Sequence, residues 1–353
     1  MNQKIFSKNS DESFMSEAIR LAELGKSNVA PNPKVGAVIV YNNQIIGEGY
    51  HAYYGGPHAE VVAINSVKNK EVLNQATIYV TLEPCSHHGK TPPCADLIIM
   101  HQFKRVVIGS KDSFPLVNGK GIERLKNAGI DVISGVLEEE CDFMNRRFLT
   151  FHREKRPYIV LKWAETADGF IDSDRTNVHQ REIHWISGPE SQKLVHQWRS
   201  EEQGILVGWK TVSNDNPRLN VRLVEGKNPI RIILDSHLQA PKDSFIYDLS
   251  QPTIIYNKIK DELGKNLHFT RLKSLTFVEL FDDLYKQGVL SILVEGGRNT
   301  LNQFIENNKW DEIRRFKSVR LFHQGLKAPQ FELKSDHSML VGDDKLEYFY
   351  FIK

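Results

Sequence analysis

Short apolar runs of strand length recur along the whole chain, separated by segments whose apolar residues repeat at helical spacing. In the first half, DESFMSEAIRLAEL at 11–24 puts Phe14, Met15, Ala18, Ile19 and Ala22 on one helical face, with Asp11 as the expected cap and Gly25 at the exit. VGAVIVYNNQIIGEGY is two apolar runs around Asn42 and Asn43, which predicts a hairpin with a turn that tolerates left-handed backbone. HAEVVAINSV reads as a helix, and TIYVTL, with Ile78, Val80 and Leu82 in alternation, as a strand. CADLIIMHQF, RVVIGS, GIERLKNAG and DVISGV then repeat helix and strand. Such alternation specifies an α/β fold whose crossovers favour a mixed sheet between helix layers.

FHREKRP at 151–157 is polar, charged and closed by proline, and it divides the chain into segments 1–150 and 157–353. A length of 353 residues fits two domains with sizeable cores. Beyond the divide PYIVLKWAE, GILVGW, IRIILDS, PTIIYN and SILVEGG form a second strand series, with helices such as ESQKLVHQWRS between them. No period of 20 to 50 residues relates the halves. The 46 basic and 44 acidic side chains leave a formal charge of +2, which gives no reason to expect a nucleic-acid or membrane surface. MNQKIFSKNSDESFM lacks the apolar core of a signal peptide, and no apolar run approaches the ~20 residues of a membrane span, so the expected location is cytoplasmic. With three cysteines, Cys85, Cys94 and Cys141, a disulfide framework is not expected. Cys141, in EEECDFMNRR, is expected to pack on a helix without a chemical role.

TLEPCSHHGKTPPC at 81–94 gathers two cysteines, two histidines and a lysine in one loop. Upstream, PHAEVVAIN places His58 and Glu60 on the opening turn of a helix. His58 with Cys85 and Cys94 is an N, S, S donor set that suits zinc and leaves a fourth tetrahedral position for water, the arrangement of a catalytic rather than a structural site. Helix N-termini near these ligands would favour thiolates, and zinc brings its water to a pKa of roughly 7. Glu60 is better placed to shuttle protons than to ligate. Together HxE and PC…C form the signature of zinc deaminases. A closed structural site completed by His87 or His88 is the competing arrangement.

Base deaminases separate the two cysteines by two residues, whereas eight lie between Cys85 and Cys94. With that spacing, TLEPCSHHGKTPPC, PNPKVGAVIV at 31–40 and GGPHAEVVAI at 55–64 resemble the deaminase domain of the bifunctional riboflavin-biosynthesis deaminase-reductases. The resemblance implies a cytidine-deaminase-like three-layer domain acting on a substrate that carries a ribose phosphate. Asn32, His51, His87 and Lys90 would line its pocket, with His88 beside them.

In the second half SILVEGGRNTLNQFIENN reads as a strand, a glycine pair and a helix whose first N–H groups form a phosphate nest, although a glycine pair after a strand is also the ordinary form of a turn. LKWAETADGFID and ILVGWKTVSNDNPRLNVR resemble the same family's reductase domain, which implies a dihydrofolate-reductase-like α/β fold and NADPH. By that resemblance Ala164, Trp185, Thr211, Asp215, Ser236, Gly296 and Gly297 approach the cofactor, while Lys162, Arg199, Leu219, Arg222 and Glu295 face the substrate. The arginines would meet its phosphate as bidentate donors. Three features depart from the family pattern: Thr166 in place of serine, a longer SDRTNVHQREIHWIS stretch, and a tail after Trp310 without the usual Pro-x-Leu-Leu-Gly run.

The expected enzyme therefore deaminates a diamino-pyrimidinone ribosylamino phosphate with zinc and then reduces its ribosyl chain to ribityl with NADPH. Its expected partner is that small molecule, not nucleic acid or membrane, and a two-fold dimer is the expected assembly. A nucleic-acid or nucleoside base deaminase with a C-terminal binding domain is the alternative, and it should show a basic face and closely spaced cysteines. A non-catalytic zinc-stabilised module is the other.

Overall fold

A computed structural model describes residues 10–86, 92–112, 119–175 and 184–351. The chain separates into two compact units, 1–154 and 155–353. The stretch 151–157 is linker only in part, because helix continues to Glu154.

The first unit comprises α1 (Asp11–Glu23), the hairpin β1 (Gly36–Tyr41) and β2 (Gln44–Tyr50), α2 (Ala59–Ser66), β3 (Thr77–Leu82), α3 (Cys94–Met100), β4 (Arg105–Ser110), α4 (Lys120–Asn127), β5 (Asp131–Ser134), α5 (Glu138–Met144) and α6 (Arg146–Glu154). Its five strands run in the order β2-β1-β3-β4-β5. β1 is antiparallel to both neighbours, and β3, β4 and β5 are parallel, so the sheet is mixed as the alternation predicts. Asn42 and Asn43 take φ of 49° and 58°, the left-handed pair a tight hairpin turn demands.

Side-chain alternation builds three layers from this sheet. Val38, Val40, Tyr79 and Val107 point to one face and pack with Phe14, Met15, Ala18 and Leu21 of α1. Their neighbours Ala37, Ile39, Ile78, Val80, Val106 and Ile108 point to the other, against residues of α2, α3 and α4 such as Ala63, Ile98 and Leu125. Cys141 is fully buried against the α1 face, where burial pushes its thiol up to about 12.

Two terminal details of α1 differ from the sequence reading. Ser10 is the cap, accepting from the Ser13 N–H, while Asp11 is turned to the sheet, where it binds Arg105 through both carboxylate oxygens and accepts from the Tyr79 hydroxyl. Two strong charge-assisted bonds outweigh one cap. Gly25 does not end the helix in a left-handed residue; it admits a close backbone, since a Cβ there would stand 2.6 Å from the His51 carbonyl oxygen.

The second unit comprises β6 (Tyr158–Glu165), β7 (Phe170–Ser173), α7 (Pro189–Glu201), β8 (Gly204–Gly208), α8 (Trp209–Asp215), β9 (Ile230–Leu234), β10 (Thr253–Asn257), β11 (Glu262–Leu263), β12 (Leu267–Arg271), α9 (Phe277–Lys286), β13 (Ser291–Gly296), α10 (Arg298–Glu306), β14 (Glu312–Lys317), β15 (Gly325–Lys327), β16 (His337–Val341) and β17 (Asp344–Tyr350). Ten strands form one sheet in the order β11-β12-β10-β9-β8-β13-β6-β14-β17-β16. The central strands are parallel. Alternation again divides the core: Ile159, Leu161, Ile292 and Val294 pack with Leu301 and Phe304 of α10, and Tyr158, Val160 and Leu293 pack with Val195 and Trp198 of α7. The tail after Trp310 supplies β14 directly beside β6, followed by antiparallel β17. No helix among the described residues is long and apolar enough to cross a membrane.

One contact in the first unit sets how closely α1 lies on the sheet. A Cβ at Gly36 would stand 2.0 Å from the Ala18 carbonyl oxygen and 2.8 Å from the Ala22 nitrogen, both backbone atoms that cannot swing aside. Gly36→Ala should therefore lower stability by ~1–3 kcal/mol or more, the cost of overpacking. Urea unfolding followed by circular dichroism checks this, and an unchanged midpoint would contradict the packing described.

Candidate functional site

In the first unit the chemistry collects where two helices begin. His58 is the N-cap of α2, and Cys94 opens α3 after Pro93, while Cys85 follows the strand β3. The His58 Nδ1 lies 3.2 Å from the Cys94 Sγ and 3.6 Å from the Cys85 Sγ. Tetrahedral zinc with bonds of about 2.0 Å to nitrogen and 2.3 Å to sulfur needs N···S separations of about 3.5 Å, so the donors fit this ion. Among the described residues they are the one such cluster of histidine, cysteine and carboxylate groups.

The electrostatics favour thiolate. The Cys85 thiol is lowered to about 4, first by the hydrogen bond from the Cys94 thiol and further by His58 and the Cys94 backbone N–H, whose nitrogen lies 3.3 Å from the Cys85 Sγ. His58 is raised by its bond to Cys85. Glu60, on the first turn of α2, is buried, and burial beside the Cys85 thiolate raises its carboxyl toward the neutral form.

Asn32 and His51 stand next to this cluster. The His51 ring is 5.8 Å from the His58 ring, and its Nδ1 is 2.9 Å from the Pro57 carbonyl oxygen. A carbonyl only accepts, so Nδ1 carries the proton and Nε2 accepts from the Asn32 amide at 3.1 Å. Burial lowers the His51 pKa, in keeping with a neutral ring. The structure thus brings together Asn32, His51, His58, Glu60, Cys85 and Cys94. His87, His88 and Lys90 lie outside the described residues.

Sequence reading missed two supports. Glu83, just before Pro84 and Cys85, accepts from the backbone N–H groups of Asp112, Gly119, Gly121 and Ile122 and so ties the ligand strand to the start of α4. Asn145, between α5 and α6, accepts from the Lys34 N–H at 2.8 Å and donates to the Lys34 carbonyl at 2.9 Å, which clips the loop that carries Asn32. Glu83 has a sequence signal in its place beside Cys85; Asn145, over 100 residues away, has none.

In the second unit the proposed cofactor residues gather at the carboxyl ends of adjacent parallel strands, where open α/β sheets bind ligands. Ala164 is near the end of β6, Gly296 ends β13, Thr211 follows β8, and Ser236 follows β9. Gly297 caps α10 without a side-chain hydrogen bond, and a Cβ on it would stand 3.1 Å from the Thr211 Oγ1. This close-set turn leaves the first N–H groups of α10 available to an anion, as a dinucleotide phosphate requires. Asp215 is held by Arg175 at 2.6 Å, a cation that sequence reading did not single out, and burial raises its pKa to about 6. Trp185 is exposed, and its carbonyl accepts from Arg320.

Lys162, Arg199, Arg222 and Glu295 interact as one charged group, while the Leu219 side chain packs among apolar residues such as Ile205 and Val207. Arg199 of α7 binds Glu295 of β13 through both carboxylate oxygens, at 2.7 and 2.8 Å. Burial would raise the Glu295 pKa, but Arg199 and Lys162 together hold it down at about 2. Burial lowers that of Lys162, against the pull of Glu295.

Comparison with known proteins agrees with the two-domain organisation. The cytidine and deoxycytidylate deaminase zinc-binding region matches residues 8–110, and the RibD C-terminal domain matches residues 157–318. The riboflavin biosynthesis protein RibD of Aquifex aeolicus is 39% identical over 345 residues, covering 96% of this chain and 95% of the relative. RibD of Escherichia coli is 37% identical, covering 86% of each. Among solved structures, a Thermotoga maritima diaminohydroxyphosphoribosylaminopyrimidine deaminase/5-amino-6-(5-phosphoribosylamino)uracil reductase superposes with a TM-score of 0.86 at 37% identity, over 96% of this chain and 98% of that one. Acinetobacter baumannii RibD gives 0.85 at 31% identity, with the same coverage.

The Arg199–Glu295 pair also carries stability. Arg199→Met leaves a buried carboxylate unpaired and should cost ~3–5 kcal/mol, whereas Arg199→Met with Glu295→Leu should recover much of that loss. Thermal unfolding of the two variants distinguishes a stranded charge from lost packing.

Proposed function

The chain belongs to the RibD family of riboflavin biosynthesis proteins, and from that membership we propose which of its side chains carry each reaction. It is a bifunctional enzyme, with a zinc deaminase domain followed by an NADPH-dependent reductase domain. RibD enzymes act on small-molecule pyrimidines.

For the first step His58, Cys85 and Cys94 would hold zinc, which would supply the Lewis acidity that makes water a nucleophile near neutral pH. Glu60 would move the protons: its carboxylate would take one from the attacking water and give it to a pyrimidine ring nitrogen, then take the second from the added hydroxyl and give it to the departing ammonia. Burial and the neighbouring Cys85 thiolate raise its carboxyl above the ordinary range, which favours its holding a proton between transfers. Asn32 and His51, locked to each other and to the Pro57 carbonyl, orient the ring, and His87 and Lys90 meet the rest of the substrate. The substrate of this step is a diamino-pyrimidinone ribosylamino phosphate.

For the second step NADPH would supply hydride to the ribosyl chain, and a proton from solvent would complete its conversion to ribityl. Ala164, Trp185, Thr211, Asp215, Ser236, Gly296 and Gly297 bind the cofactor. Lys162, Leu219 and Glu295 border the reacting sugar, and Arg199 and Arg222 take its phosphate. The observation that carries this reading is the pairing of an N, S, S donor set and adjacent Glu60 in one unit with a buried Lys162–Glu295–Arg199 cluster in the other.

Two measurements test it. Purified protein should hold one zinc per chain, retained in Cys141→Ser and lost in Cys85→Ser; zinc unchanged in Cys85→Ser would refute the ligand set. Glu60→Gln should keep its zinc and lose ~100-fold or more of ammonia release, the usual cost of removing an acid-base group. That variant should oxidise NADPH normally when given the deaminated phosphate. If both activities vanish from a folded protein, the two-site division is wrong.

A further inference from the structure

His196 is a buried polar residue that neither step uses. It lies on α7 three residues before Arg199, so the two side chains share one face of the helix. Each holds a different backbone group of the same loop. The Arg199 Nη1 donates to the Asn220 carbonyl at 3.2 Å, and the His196 Nδ1 accepts from the Arg222 N–H at 3.1 Å. A third contact fixes the loop from outside, where the Gln251 amide donates to the Leu219 carbonyl at 3.0 Å. The Leu219 side chain is buried, and its φ of 53° turns the backbone sharply.

We propose that His196 is the positioning residue of the reductase substrate site: by accepting the Arg222 N–H it sets the direction in which that arginine presents its guanidinium to the substrate phosphate. This rests on the reading that Arg222 takes the phosphate.

The chemistry of the contact specifies a neutral histidine. An imidazolium has two N–H groups and could not accept from a backbone donor, so Nδ1 must be bare and Nε2 protonated. The surroundings enforce this. Burial lowers the His196 pKa to about 4, and Arg199, Arg222 and Lys162 add to it, against the opposing charge of Glu295. The arginine it aims is exposed, and its Nη1 reaches only as far as the Asn220 Oδ1, at 3.1 Å. Partial desolvation lowers the Arg222 pKa and repulsion from the nearby Arg199 and Arg218 lowers it further, while the nearby Glu295 is already taken by Arg199. Such a surplus of positive charge suits a phosphate dianion. A rigid backbone beneath Arg222 leaves only side-chain rotamers to be fixed on binding, which lowers the entropic cost of capturing the anion.

The test uses the full-length enzyme with NADPH and 5-amino-6-(5-phosphoribosylamino)uracil. His196→Leu and His196→Ala remove the acceptor. Each should raise KM for the phosphorylated substrate about tenfold, with kcat and KM for NADPH within about threefold of the parent. His196→Asn, whose Oδ1 stands where Nδ1 does, should restore KM to within about threefold. Adding His196→Leu to Arg222→Ala should make KM no worse than Arg222→Ala alone. If Arg222→Ala itself leaves KM unchanged, the phosphate reading fails before His196 is reached. If Arg222→Ala raises KM but the histidine variants lower kcat and weaken both substrates alike, are not rescued by asparagine, or do not fold, then His196 is structural and the proposal is overturned.

Discussion

Both central sheets are covered by helices on two faces, and this double burial determines where polar chemistry can stand. Strand interiors must be apolar on each side, as Ile39, Val107, Ile159 and Leu293 are, so ligands and catalytic groups are pushed to strand ends and helix starts. Cys85 follows β3, His58 and Cys94 open α2 and α3, and the Gly296–Gly297 turn joins β13 to α10. Glu295 and Lys162 are the exceptions that lie within strands. They are tolerated because they attract each other and because Arg199 closes on Glu295 with two hydrogen bonds.

The two sites solve opposite electrostatic problems. In the first, two thiols and a carboxylate converge, and the cost of that negative charge is met by sharing: one thiol donates to the other, and burial keeps Glu60 from ionising readily. A divalent cation is the natural complement of such a set. In the second, two arginines, Arg199 and Arg222, and Lys162 act on the single carboxylate of Glu295. An anion is its complement, and this polarity agrees with a site that binds a phosphorylated substrate.

Much of the fold was legible because alternation in each strand and the helical spacing of segments such as 11–24 are local properties. The metal ligands were legible for a similar reason, since two lie within one ten-residue stretch and the third is tied to a helix start. What the sequence hid was long-range. Asp11 looks like a cap until Arg105 and Tyr79 arrive from β4 and β3 and claim its carboxylate. Asn145 acts at Lys34 and His196 acts at Arg222, and no periodicity connects those positions. Arg231 shows the same limit: it stands in an apolar strand, IRIIL, yet is fully buried, because the Arg218 and Phe245 carbonyls and Asp248 satisfy its guanidinium.

These hidden contacts share one form. Asn145, Glu83, Arg231 and His196 each hold backbone groups of a distant segment, and Arg231 holds the Asp248 carboxylate as well. A backbone partner exists for any loop residue except that proline offers no N–H, so the contact constrains geometry while leaving the side chain at that position otherwise free. The loops at 30–35 and 218–222 can therefore change the side chains that meet a substrate while their paths stay fixed. On the proposed reading, groups that would meet a substrate, such as Arg222, take their precision from buried amide, carboxylate and imidazole groups behind them.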